Sequence, residues 1–127
     1  MAEDPRYLMR IEPVVTFVAD QSDPPRQQFV LAYTIRITYV GTLAATLVSR
    51  HWVITDGEHR VQEVRGAGVV GQQPTIAPGE TFEYTSGASI ATPVGTMRGS
   101  YQMVGADGQA FDAPIETFTL SVPRTLH

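Results

Sequence analysis

The chain has no cysteine among its 127 residues. That one absence removes disulfides, thiolate zinc sites and cysteine nucleophiles, and it fits a reducing compartment. Lysine is missing as well: the nine basic residues are all arginine, scattered from Arg6 to Arg124. Nucleic-acid affinity comes largely from clustered positive charge that displaces counterions from phosphates. With thirteen acidic residues and a formal net charge of −4, the chain has no basic stripe, and nucleic acid is not expected as a partner. Long apolar runs are absent too, none nearing the roughly 18 residues of a membrane helix. The start, Met1-Ala2-Glu3-Asp4-Pro5, is acidic and leads into no apolar run, unlike a secretory signal. These absences place the protein in the cytoplasm, away from membranes. Its length fits one domain spanning residues 1–127, large enough to bury a core without a covalent staple.

What is present is alternation with a period of two. Phe29, Leu31, Tyr33, Ile35, Ile37 and Tyr39 fall on one face of a strand whose other face carries Thr34, Arg36 and Thr38. Gly41-Thr42 then turns the chain into a strand over residues 45–55. Asp56-Gly57 suits a tight hairpin, from which residues 58–64 return. A strand over residues 7–18 precedes these, separated by the breaker Asp23-Pro24-Pro25. Pro78-Gly79-Glu80 marks another turn, after which Phe82 and Tyr84 share a face. Met97, Gly99, Tyr101 and Met103 share a face of the next strand, and Ala106-Asp107-Gly108 turns into a strand over residues 109–122. About seven strands at this spacing predict an all-β antiparallel sandwich with no long helix. In the last strand the apolar phase shifts: Phe111, Ala113 and Ile115 are odd, whereas Phe118, Leu120 and Val122 are even. One extra residue must be absorbed near Glu116-Thr117, which predicts a bulge there.

Reactive constellations are sparse. Gly66-Ala67-Gly68-Val69-Val70-Gly71 is a literal GxGxxG, but Pro74 and Pro78 leave no room for the helix that a dinucleotide site requires. The segment therefore reads first as a glycine-rich connection. Its alternative use is an amide nest for a nucleotide or pyrophosphate, with Gly66, Gly68 and Gly71 as the candidate residues. His51 and His59 come together in neither of the two hairpin registers open to Asp56-Gly57, and His127 is terminal, so no metal site is expected. No serine stands in a GxSxG elbow and no carboxylates pair, so no catalytic residue is assigned, and neither an enzyme activity nor a cofactor is expected. From Tyr84 to Met97 fourteen residues carry no charge. Such a segment is either packed against the sandwich or presented to a protein partner, with Tyr84, Ile90, Val94 and Tyr101 as candidate contacts.

Five blocks carry a further pattern: Ser49 to Gly57 (SRHWVITDG), Val64 to Pro74 (VRGAGVVGQQP), Pro78 to Gly87 (PGETFEYTSG), Thr92 to Met103 (TPVGTMRGSYQM) and Phe118 to Pro123 (FTLSVP). In this order they resemble the ApaG family across nearly the whole chain. The resemblance implies an immunoglobulin- or fibronectin-type-III-like sandwich and an association with cobalt and magnesium efflux. Related domains on F-box proteins imply a protein-binding module. A soluble chain cannot itself be an efflux pore, so any link to divalent cations is indirect. The expected function is thus a non-enzymatic binding domain with a protein partner.

Overall fold

The computed structural model describes residues 4–123, so His127 lies outside it. Eight strands follow one another: β1 (Met9–Phe17), β2 (Phe29–Tyr39), β3 (Ala45–Asp56), β4 (Val61–Ala67), β5 (Thr75–Ile76), β6 (Thr81–Ile90), β7 (Val94–Gly105) and β8 (Ala110–Ser121). Helical structure among the described residues amounts to three 3-10 turns of three residues each.

The strands form two antiparallel sheets. One holds three strands in the order β1-β2-β6, and the other runs β4-β3-β7-β8 with β5 also paired to β3. Between them lies the core, which includes Leu31, Ile35, Ile37, Tyr39, Leu47, Trp52, Met97, Tyr101, Met103 and Leu120. The alternation of β2 explains its central place, because every second side chain from Leu31 to Tyr39 is buried. Each such side chain contributes about 1.5–3 kcal/mol of burial.

The phase shift in the last strand is resolved as expected. Met97 pairs with Phe118 but Gly99 pairs with Ile115, so Glu116 and Thr117 together oppose Arg98. The extra residue lets Ile115 and Leu120 point into the same core. A second bulge, at Val48, where Leu47 pairs with Met103 and Ser49 with Gln102, moves the inward positions from Ala45 and Leu47 to Trp52 and Ile54, a change that apolar Val48 and Val53 mask in the sequence.

Several boundaries differ from expectation. Tyr7 belongs to a 3-10 turn over Pro5–Tyr7, capped by Asp4, and strand pairing begins at Met9. Gly41-Thr42 carries the chain from one sheet to the other and forms no hairpin. A Cβ on Gly41 would stand 2.3 Å from the Arg6 carbonyl oxygen, so glycine is needed for that crossing. The β3–β4 hairpin is closed by residues 57–59, with His59 left-handed at φ 65°. Asp56 sits beneath it, accepting from the amides of Glu58 at 2.8 Å and Arg60 at 3.0 Å. Its other oxygen accepts from Arg60 Nε at 2.6 Å. The strand beyond the expected seven is β5, two residues held by proline-flanked chain and too short to show a period.

Candidate functional site

At one boundary of the two sheets, β1 and β8 run alongside each other as free edges. Between them lies a groove of about 590 Å³. Its floor follows from alternation: Met9, Ile11 and Pro13 are the half-buried positions of β1, and Phe111, Ala113, Ile115 and Phe118 are the inward positions of β8. Met9, Ile11, Phe111 and Phe118 pack against the core without being enclosed by it. Asp4, Asp112 and Glu116 stand on the rim.

The end of the groove near the β7–β8 turn is closed by the 3-10 turn. Tyr7 stacks on Phe111 with ring centroids 4.2 Å apart and planes 16° from parallel. Its hydroxyl donates to Asp107 Oδ2. Arg6 bridges Asp4 at 2.8 Å and Asp107 at 3.1 Å. The Tyr7 hydrogen bond, with further help from the Gln109 amide and Arg6, holds the Asp107 carboxyl below its usual range. Burial and the same hydrogen bond push the Tyr7 hydroxyl up to about 12.

The glycine segment is a turn with an arginine laid across its entry. Gly66 lies in β4, opposite Arg50. Arg50 Nη1 donates to the carbonyls of Ala67 at 3.1 Å and Gly68 at 2.9 Å. Val69 and Gln72 exchange two backbone hydrogen bonds around Val70 and Gly71, whose φ angles of 42° and 79° are both positive. That is the pattern of a type I′ hairpin. The amides of Gly68, Val69 and Gln72 are committed to backbone acceptors. The loop thus turns carbonyls towards Arg50, and no helix follows it.

His51 and His59 do not meet, because His59 lies in the hairpin loop and not on the strand. His51 Nε2 stands 3.2 Å from Glu63 Oε1. The ladder also sets Ser100 directly opposite His51, a juxtaposition that single-strand patterns do not reveal. The Ser100 hydroxyl accepts from Gln102 Nε2 at 2.9 Å. This row lies on a sheet face whose β3 and β7 backbones are paired on both sides, which leaves few donors for an oxyanion. Among the described residues no three His, Cys, Asp or Glu side chains are grouped to hold a metal ion.

The uncharged segment is mostly strand, not connection: β6 ends at Ile90 and β7 begins at Val94. Tyr84, Ile90 and Tyr101 are buried, and the two tyrosine hydroxyls meet at 2.6 Å inside the core. Of the four candidate contacts only Val94 is exposed, at 50%. The packed alternative therefore describes Tyr84, Ile90 and Tyr101, whose absence of charge reflects burial. The groove escaped the sequence reading because its two walls lie about a hundred residues apart.

Fold and groove together define a small antiparallel β-sandwich with a cleft of apolar floor and acidic rim at one sheet boundary. The chain belongs to the ApaG domain family, whose model matches residues 19–105. It is 61% identical over all 127 residues to Protein ApaG of Thiobacillus denitrificans, covering both chains fully. Protein ApaG of Bordetella pertussis is 60% identical over 121 residues, which are 95% of this chain and 92% of that one. A crystal structure of a Bordetella pertussis protein named ApaA superposes with a TM-score of 0.90 at 59% identity, over 94% of this chain and 97% of that one. The C-terminal domain of Wzt, 12% identical with a TM-score of 0.52, shares the fold.

Proposed function

We propose that the protein is a non-catalytic binding domain that holds a segment of a protein partner in the β1–β8 groove. The observation that supports this reading is the groove itself. It is a concavity of about 590 Å³ with an apolar floor and a few polar groups at its rim, the usual make-up of a binding site. Reactive side chains elsewhere are engaged structurally: Asp56 caps a hairpin, Tyr84 and Tyr101 satisfy one another, and Ser100 is tied to Gln102. An association with cobalt and magnesium homeostasis would then run through the partner.

Affinity capture with paired variants tests this. Phe111→Glu places a charge in the groove, whereas Val14→Glu and Val61→Glu alter exposed positions outside it, at 63% and 62% exposure. A partner retained by wild type and both controls but lost with Phe111→Glu, in a variant whose melting is cooperative, supports the reading. A partner lost with Val61→Glu and kept with Phe111→Glu contradicts it.

A further inference from the structure

We propose that the β1–β8 groove accepts a cationic apolar segment, seated by its side chains and not by addition of a strand to either sheet. This rests on the groove being the partner surface and adds the chemistry of its occupant.

Charge gives the first half of the argument. Three carboxylates, Asp4, Asp112 and Glu116, line the groove, and none of its lining residues is basic. Arg6 answers Asp4 and also reaches Asp107 at the closed end. Asp112 and Glu116 have no ion-pair partner within 4 Å among the described residues. Arg98, opposite Glu116 and Thr117, is exposed on the same side of the sheet but makes no ion pair with Glu116 within 4 Å. An occupant with arginine or lysine flanking apolar anchors meets this rim with complementary charge, and an acidic one is repelled.

The backbone gives the second half. A free strand edge ordinarily offers its outward amides to an incoming chain. Pro13 on β1 opposes Ile35, and Pro114 on β8 opposes Ser100. Proline has no N–H and fits an edge strand where that position faces outward, so each free edge lacks a donor in mid-strand. The bulge at Glu116-Thr117 breaks the β8 edge a second time. Strand addition is thereby blocked on both walls. What remains is insertion of side chains between Met9, Ile11, Phe111 and Phe118, in a volume within the roughly 300–1,000 Å³ range of specific pockets.

The test titrates ¹⁵N-labelled protein with two synthetic twelve-residue peptides, one alternating leucine with arginine and one alternating leucine with glutamate. The expected result is shifts confined to β1 and β8 with the arginine peptide, and binding at least about tenfold weaker with the glutamate peptide. The double variant Asp112→Lys, Glu116→Lys reverses that preference. No amide of β1 or β8 gains slow hydrogen exchange, as a new ladder would require. Equal binding of both peptides, shifts spread over the surface, or newly protected edge amides would each overturn the proposal. If captured partners still contact the groove when the peptides show no preference, only the occupant's chemistry is wrong. If captured partners bind elsewhere, the groove reading falls with it.

Discussion

The guanidinium of Arg50 lies so close over Gly66 that a Cβ there would stand 2.8 Å from its Nη1 atom. The three glycines of the GxGxxG segment therefore answer three different demands. Gly66 leaves room for the end of a flexible side chain. Gly68, at φ 58°, would place a Cβ 2.2 Å from the Gln72 carbonyl oxygen, which is backbone and cannot step aside. Gly71, at φ 79°, has open space around it. Substitution by alanine should rank accordingly: about 3 kcal/mol or more at Gly68, about 1–2 at Gly71 and about 1 or less at Gly66. Urea denaturation of the three variants checks the order, and a largest loss at Gly66 would contradict it.

Val70 is the strained residue of the same turn. A β-branched side chain at φ 42° is unfavourable, and the first central position of a type I′ turn prefers asparagine. Val70 is 52% exposed, so little packing is lost on replacing it. Val70→Asn should raise stability by about 1 kcal/mol, read as a higher urea midpoint at unchanged slope. A lower midpoint would show that Val70 is held by packing.

The buried hydroxyl pair of Tyr84 and Tyr101 predicts a coupling. Burial first of all drives both groups well above the usual tyrosine range, so both stay protonated and share one short bond. Removing either hydroxyl alone leaves the other buried without its partner, at a cost of about 1–3 kcal/mol. Removing both should cost less than the sum of the single losses. A double-mutant cycle with Tyr84→Phe and Tyr101→Phe measures this, and simple additivity would contradict the pair.

Acid sensitivity follows from three aspartates. Arg6 lowers the Asp4 pKa through a side-chain hydrogen bond, and the Tyr7 hydroxyl lowers that of Asp107. For Asp56, burial acts upward but is outweighed by bonds from the Arg60 amide and guanidinium and the Glu58 amide. Groups with depressed folded pKa values contribute stability above their ordinary value, 3.8, and lose it as pH falls through the folded values. Unfolding free energy should thus be nearly flat above about pH 5 and decline below about pH 4. Asp107→Asn should make that decline shallower; an unchanged slope would show that the Tyr7–Asp107 contact contributes little.

Much of the fold was legible because its signals are local. The parity change between Ile115 and Phe118 forced a bulge, and it lies where Glu116 and Thr117 oppose Arg98. The bulge at Val48 was masked, because Val48 and Val53 are apolar at the opposite parity and blur the change from Ala45 and Leu47 to Trp52 and Ile54. The hairpin at Asp56 was legible as a turn but not in register, because its closure depends on His59 taking a left-handed backbone. Within the uncharged residues 84–97, Tyr84, Ala88, Ile90 and Met97 are buried while Val94 is 50% exposed, and composition alone cannot separate those outcomes. The groove was illegible for a different reason: Ile11 and Phe111 become neighbours only when two sheets close, and neither strand announces its free edge.

Site-specific photocrosslinking tests the central claim most directly. A photoreactive residue is placed in turn at Ile11 and Phe111 in the groove, at Val70 in the glycine turn, and at Thr38 on the outer sheet face. The account predicts one discrete protein adduct from Ile11 and Phe111, with the crosslinked peptide carrying arginine or lysine beside apolar residues, and none from Val70 or Thr38. A discrete adduct from Val70 with none from Ile11 or Phe111 would contradict it and move the binding surface to the glycine turn.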